Sequence, residues 1–503
     1  MKTKVLFFIL TLLGSLAAKA QTVLWENGYW YNGKEFEKRS FYSVNGELKT
    51  VKPKKVDQTI DLKGQYIIPP LADAHHHGID SEAGLQEKIN TFLRDGVFYV
   101  KNPNVIPDLL TPVLRASINK PTSIDVVFSN GGLTATGGHP VRLHNFLAGR
   151  GVFGELKPED MENRAYYIID SENDLEKKWS LIVSKNPDFI KTFVLFTDGS
   201  ERKKREGLTP EVLKAVVSKA HHDKLRVSAH IETALDFKYA VEASVDEINH
   251  LPIPRNEFDP TLEAFRIAPT VAKLAAEKRI SVVATVKDAV MRRDTVGLKA
   301  SIQIEKYNAQ LLFSSGVNLT IGSDGISGEK PMATALASIL YMAKYNFFDN
   351  ATLLRIATQN TPGTIFPDRK IGFLKNGYEA NFLVFKDNPV NEIKNLKNIT
   401  MRVKQGVILK DIMVEKAPDN KRITFTLKGF ENAREVAVAG TFNGWSPMAN
   451  LMKKEGNIWT VTLDVEQGKV LYKFVVDRQW MTDPENSQTE KDDENTNSVL
   501  IIK

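Results

Sequence analysis

The sequence predicts an α/β chain: a (β/α)8 TIM barrel, a small β-sandwich made from the segments on either side of it, and a C-terminal all-β, immunoglobulin-like sandwich. Three observations carry this reading. Between about residues 65 and 365, eight apolar strand-like runs alternate with amphipathic helical stretches. Short β-like runs with turn signals lie on both sides of that stretch. Residues 422–503 alternate apolar and polar positions without a helical period.

Length and composition set the outer bounds. A chain of 503 residues is too long for one ordinary domain. Its 42% hydrophobic content is that of a globular protein. The 67 basic and 61 acidic side chains leave +6, with no dense basic tract, so nucleic acid is not an expected partner. There are no cysteines and hence no disulfides.

The N-terminus, residues 1–20, reads as a signal peptide. Lys2 and Lys4 precede the apolar run from Val5 to Leu13, and Ala18-Lys19-Ala20 offers a small-x-small cleavage site. The run is shorter than the roughly 20 residues a membrane span needs, and no later segment is long and apolar enough. The expected mature chain begins after Ala20, has no membrane span, and is secreted or periplasmic; the lack of disulfides suits a bacterial periplasm.

Residues 21–64 and 370–415 read as one small β-sandwich. The first carries Asn27-Gly28, Asn32-Gly33 and Asn45-Gly46, which are hairpin turn signals. The second has strand-like runs at 381–385 and 399–404. Between them, residues 65–369 form the predicted barrel. Its strands are expected at 66–74, 97–100, 124–128, 189–194, 225–229, 246–248, 280–284 and 317–321, with helices such as 210–222 and 302–314 between them. The long connection from 130 to 188 contains Gly131-Gly132 and Gly137-Gly138 and is expected to fold over the barrel's mouth.

The chemistry of such a barrel lies where its strands end. Those ends carry His75 and His77, then Lys191, His230, His250 and Asp324. His75 and His77 alternate with His76, so they share a face that His76 does not. Each of these residues taken singly is as readily a hydrogen-bonded polar group of the interior. Four of the chain's nine histidines at predicted strand ends, with an aspartate and a lysine, point to a divalent metal centre.

Several segments then carry a resemblance. Asp73-Ala-His-His-His77, Val227-Ser-Ala-His230, Glu247-Ile-Asn-His250 and Ile321-Gly-Ser-Asp324-Gly resemble the strand-one, -five, -six and -eight signatures of the amidohydrolase superfamily. Ala357-Thr-Gln-Asn-Thr-Pro362 and Lys370-Ile-Gly372 through Phe385 are similar to the segment that leaves the barrel for the small sheet. Within the superfamily, residues 22–412 look most like the imidazolonepropionase-like group, which includes Xaa-Pro dipeptidases. Two departures stand out: Pro69-Pro70 replaces the usual Pro-Gly, and Asn249-His250 the usual Glu-His.

The resemblance implies specific roles. Pro187-Asp-Phe-Ile-Lys191 is similar to a strand-four segment whose lysine becomes a carbamate. A lysine ammonium has no acceptor and cannot ligate a cation, whereas a carbamate can bridge two. The expected cofactor is a pair of Zn²⁺ ions: His75, His77 and Asp324 on one, His230 and His250 on the other, carboxylated Lys191 between them. A mononuclear site without Lys191 is the alternative. Asp324 is the expected proton carrier. Thr136-Gly-Gly-His139 resembles a loop that supplies a substrate-facing histidine, against the plainer reading of a surface histidine. The implied activity is hydrolysis of an amide, dipeptide or cyclic-amide bond in a small substrate.

At the C-terminus, Val438-Ala-Gly-Thr-Phe-Asn-Gly-Trp445, Tyr472-Lys473, Trp480 and Asn497-Ser-Val-Leu resemble the family-48 carbohydrate-binding, glycogen-binding module. The resemblance implies α-glucan as a second partner, contacted by Trp445, Lys473, Trp480 and Asn497. Indole faces can stack on sugars, and the polar pair can hydrogen-bond hydroxyls. A packing domain is the other reading of this module. For the whole chain, the alternative is a glycan-associated binding protein with a secondary or inactive barrel.

Overall fold

The computed structural model describes residues 22–195, 207–253, 262–286, 295–326, 332–410, 412, 420–443, 445, 450–477, 479–492 and 495–502. The expected signal peptide lies outside the described residues.

Parallel strands form the centre. In chain order they are β1 (Leu71–Asp73), β2 (Val97–Asn102), β3 (Asp125–Phe128), β4 (Phe189–Phe193), β5 (Arg226–His230), β6 (Glu247–Asn249), β7 (Ser281–Ala284) and β8 (Asn318–Ile321). They make two arcs. One is β1-β2-β3; the other runs from β4 to β8 in order and is extended beyond β4 by two short strands. At one junction Asp188 N donates to Phe128 O at 2.8 Å, and at the other Ala74 N donates to Ile321 O at 2.9 Å. The arrangement is TIM-barrel-like. The strands are largely buried on both faces, as parallel strands covered by helices are, and buried polar residues such as Lys101, Lys191, Glu247 and Asn249 interrupt their apolar runs.

The helices follow from local sequence. Pro210–His222 starts at Thr209, whose side chain accepts from Val212 N. Its buried positions Val212, Leu213, Val216, Val217 and Ala220 form one stripe at helical spacing. Each large aliphatic member of the stripe contributes on the order of 1.5–3 kcal/mol by leaving water. Ala234–Ala243 opens on a reciprocal capping box between Thr233 and Asp236, which satisfies two otherwise orphaned amides.

Three features differ from expectation. The single strand expected from 66 to 74 is two strands in two sheets. Pro69-Pro70 cannot donate to a ladder, so pairing stops there. Tyr66–Ile68 belongs to the flanking sheet and β1 to the barrel, making the diproline the hand-over between them. Second, the two flanks form one hydrogen-bonded eight-stranded sheet rather than two facing sheets. That sheet curls back on itself: Leu48, on its edge strand, donates to Tyr378 O at 2.7 Å and accepts from Gly377 N at 2.8 Å. The curl encloses Trp25, Trp30, Phe41, Leu48, Phe382 and Val403, doing with one sheet what a sandwich does with two. Third, the connection from 130 to 188 has structure of its own. It contains strands Gly132–Thr134 and Tyr166–Ile168 and helices Val141–Gly149 and Glu172–Val183.

The C-terminal segment forms two facing antiparallel sheets, of three and five strands, the fifth strand of the second being the short Gln479–Met481. Phe425, Leu427, Val438, Trp459, Tyr472 and Phe474 pack between them.

Candidate metal centre

The ends of β1 and β8 converge first. His75 Nε2 and His77 Nε2 are 3.1 Å apart, and each is 3.4 Å from Asp324 Oδ1. Three ligands about 2.1 Å from one cation, at angles between octahedral and tetrahedral, stand about 3.0–3.4 Å apart. The triad has that spacing. His76 turns away, as strand alternation requires. Its Nε2 lies 3.0 Å from Ala333 O, and its ring packs on Phe92.

Glycine makes this convergence sterically possible. A Cβ on Gly322 would sit 2.7 Å from His75 Cβ, and one on Gly325 would sit 2.4 Å from Ala333 O. Between them Asp324 adopts φ 52°, in the left-handed region. Asp73 holds the two strand ends together. Its carboxylate accepts from His75 N, Ser323 N and Ser323 Oγ.

A second imidazole pair lies alongside. His230 Nδ1 and His250 Nε2 are 2.9 Å apart. Thr285 Oγ1 holds His250 Nδ1 at 2.6 Å, which leaves Nε2 to face the site. His250 has φ 76°, an uncommon conformation outside glycine that turns its ring inward from the strand end. The two pairs are continuous: the ligand atoms of His75, His250 and Asp324 all lie within 4.8 Å of one another.

Lys191 lies beneath, buried, with Nζ donating to Asn249 Oδ1 at 2.5 Å. His139 reaches the site from its glycine-rich loop. Its ring stacks on that of His230 at 5.3 Å and meets Phe193 edge-on.

The electrostatics suit ligation. Burial, aided by the charge of Lys191, pushes His75 down to about 3, so it is the neutral imidazole that binds metals. The enclosed position of Asp324 alone would raise its carboxyl. The His75 and His77 imidazoles and the charge of His250 outweigh this and hold it well below the usual range. Its side chain remains 38% exposed, open to a substrate. Burial lowers Lys191 to about 7, opposed by Asp324 and Glu247.

The structure also supplies groups that sequence reading passed over. Glu247 and Lys101 form a buried ion pair at 2.9 Å under the site. Asn104 Nδ2 lies 2.7 Å from Nε2 of buried His144. The available signal was polarity inside apolar runs: Lys101 ends the run Val97–Val100, and Glu247 interrupts another. By contrast, His221 and His222 sit on exposed helix positions beside Asp246 and Asp223.

In the C-terminal sandwich, Trp445 and Trp480 lie 6.4 Å apart, and Trp480 is 44% exposed. Lys473 and Val475 share a strand face, and Trp480 pairs opposite Val475, so lysine and indole occupy the outer side. Asn497 is placed differently. It is 2% exposed, leaving little of it to meet a ligand.

Comparison with known proteins agrees with this architecture. Residues 66–409 match the family described as "Amidohydrolase family", and residues 423–503 match "Glycogen recognition site of AMP-activated protein kinase". Ochratoxinase of Aspergillus niger is 24% identical over 197 residues, 37% of this chain and 38% of that protein. Its crystal structure aligns with a TM-score of 0.60 at 19% identity, covering 78% of this chain and 96% of that one. A prolidase solved with N-methylphosphonate-L-proline aligns with a TM-score of 0.59 at 18% identity, covering 77% and 99%. The human 5'-AMP-activated protein kinase subunit beta-2 is 34% identical over 73 residues, 14% of this chain and 26% of that protein. The chain spans between a tenth and about two-fifths of the length of these curated relatives and the others it matches first.

Proposed function

Because this chain belongs to the amidohydrolase family and carries a glycogen-recognition module, we propose that it is a metal-dependent hydrolase of a carbon–nitrogen bond in a small amide, dipeptide or cyclic amide. One observation carries the proposal: five side chains from four strand ends, His75, His77, His230, His250 and Asp324, gather at one place with ligand-like separations. The names of the aligned hydrolases support the bond type; their low identity leaves the substrate open.

His75, His77 and Asp324 would hold one divalent ion and His230 and His250 a second, with carboxylated Lys191 between them. Zinc is the proposed metal; the same donors accept manganese, iron or cobalt. Bound ions of this kind supply Lewis acidity to a water and to the scissile carbonyl. This chain's residues do the rest. Asp324, ionised and accessible, takes a proton at its carboxylate and returns it to the leaving nitrogen. His139, stacked on His230, lines the approach from the loop side. Burial lowers Lys191 to about 7, so near neutral pH part of it is the neutral amine, the form that reacts with carbon dioxide.

We propose export through the N-terminal leader, with the mature chain secreted or periplasmic. We also propose that the C-terminal sandwich holds α-glucan across Trp445 and Trp480 and localises the enzyme. The exposed indole pair favours this, and it also supports the second reading, a glycan-associated protein with a secondary barrel. Metal analysis and turnover on a panel of dipeptides and cyclic amides, before and after chelation, separate the two. Metal-independent protein with no turnover on that panel would leave the binding reading.

A further inference from the structure

Lys191 does not stand alone beneath the site. Its Nζ donates to Asn249 Oδ1 at 2.5 Å. The Asn249 carboxamide is itself oriented, because its Nδ2 donates to Glu247 Oε1 at 3.0 Å. That oxygen also accepts from Lys101 Nζ at 2.9 Å. Ser228 Oγ sits between, 2.9 Å from Glu247 Oε1 and 2.8 Å from Asn249 Oδ1, with one proton to give to either. Lys101, Lys191, Ser228, Glu247 and Asn249 are all buried. The chain of contacts thus runs from β2 through β6 and β5 to β4, and each link fixes the next.

We propose that Asn249 is a positioning residue for the carbamate of Lys191. This rests on the carbamate reading above. In carbamate formation the lone pair of neutral Nζ forms a bond to the carbon of carbon dioxide. One C=O π pair moves onto oxygen and one Nζ proton leaves to solvent, so R–NH₂ and CO₂ give R–NH–COO⁻ and H⁺. One N–H remains. A carbamate, like a peptide unit, is planar about its C–N bond, so the direction of that N–H sets the plane of both oxygens. Asn249 Oδ1, aimed by Glu247 and Lys101, holds that N–H and turns the oxygens toward the two histidine pairs. A neutral amide suits the place: a carboxylate at 249 would set a second anion against the carbamate, in surroundings where like charges repel strongly.

The test compares full-length wild type with Asn249→Leu, near in volume but without an acceptor, and Asn249→Asp. Each is loaded with Zn²⁺ and ¹³C-bicarbonate. The readouts are the carbamate carbon resonance, zinc per chain, and thermal unfolding. Wild type is expected to show the resonance and two zinc ions. Both variants are expected to remain folded, lose the resonance and bind the second ion about 10–100-fold more weakly. Should Asn249→Leu not fold, Asn249→Ser is read in the same way. A folded variant with wild-type resonance and two ions overturns the role of Asn249 and leaves the carbamate reading standing. Wild type without the resonance overturns both.

Discussion

Asp73 accepts both the amide and the hydroxyl of Ser323, at 3.0 and 2.7 Å, across 250 positions of chain. One carboxylate therefore sets the distance between the histidine pair of β1 and Asp324 beyond β8. Ser323→Ala removes one hydrogen bond and leaves a buried carboxylate oxygen short of a donor. A loss of about 1–3 kcal/mol is expected, with weaker metal binding. Chemical denaturation alongside metal titration checks it; unchanged zinc affinity would show that the Ser323 hydroxyl contact to Asp73 positions nothing.

Chelation is expected to abolish turnover and to lower the unfolding temperature. A site saturated at 100 times its dissociation constant stabilises the fold by about 2.7 kcal/mol. Asp324→Asn removes an anionic donor and the proton carrier together. Its kcat should fall by about 10²–10⁴ even when zinc is added in excess. Retained kcat in a metal-replete Asp324→Asn protein contradicts the assigned role.

The Lys101–Glu247 pair makes a different kind of prediction. Lys101→Met leaves Glu247 buried and uncompensated, at a cost of about 3–5 kcal/mol. Lys101→Met combined with Glu247→Leu removes both charges and should recover most of that loss. A double-mutant cycle in urea reports the coupling.

Acid sensitivity should arise partly at His144. Burial, and the nearby His77, push it down to about 4 from 6.5. Between those values the unfolded chain binds the proton and the folded chain does not. Stability therefore falls as pH drops through this window, by about 1.4 kcal/mol per unit, and levels off below it. His144→Phe keeps a ring against Phe153, which lies 5.6 Å away, and removes the titration. Its unfolding midpoint should vary less between pH 6.5 and 4 than that of wild type.

In the C-terminal sandwich, Trp480→Ala should weaken maltoheptaose binding to the full chain by at least about tenfold, or 1.4 kcal/mol. Asn497→Ala should do far less, since Asn497 is buried. Calorimetric titration distinguishes them.

The alternation of β runs and helices, the strand ends bearing His75, His77, His230, His250 and Asp324, and the tryptophan-bearing module were all legible in the sequence. They depend on local periodicity and on residue type at fixed offsets, which a chain displays along its length. The split at Pro69-Pro70 was not read, since one strand was expected from 66 to 74, although the missing amide donors that cause it stand in the sequence. Only the tertiary structure decided the rest. That the flanks close as one curled sheet depends on Leu48 meeting residues 377–378, and no local pattern encodes such a pairing. That Lys191 points at Asn249, and Asn249 at Glu247 and Lys101, depends on how neighbouring strands stand in register. Register is a property of strand pairs, so it becomes visible only when the strands are side by side.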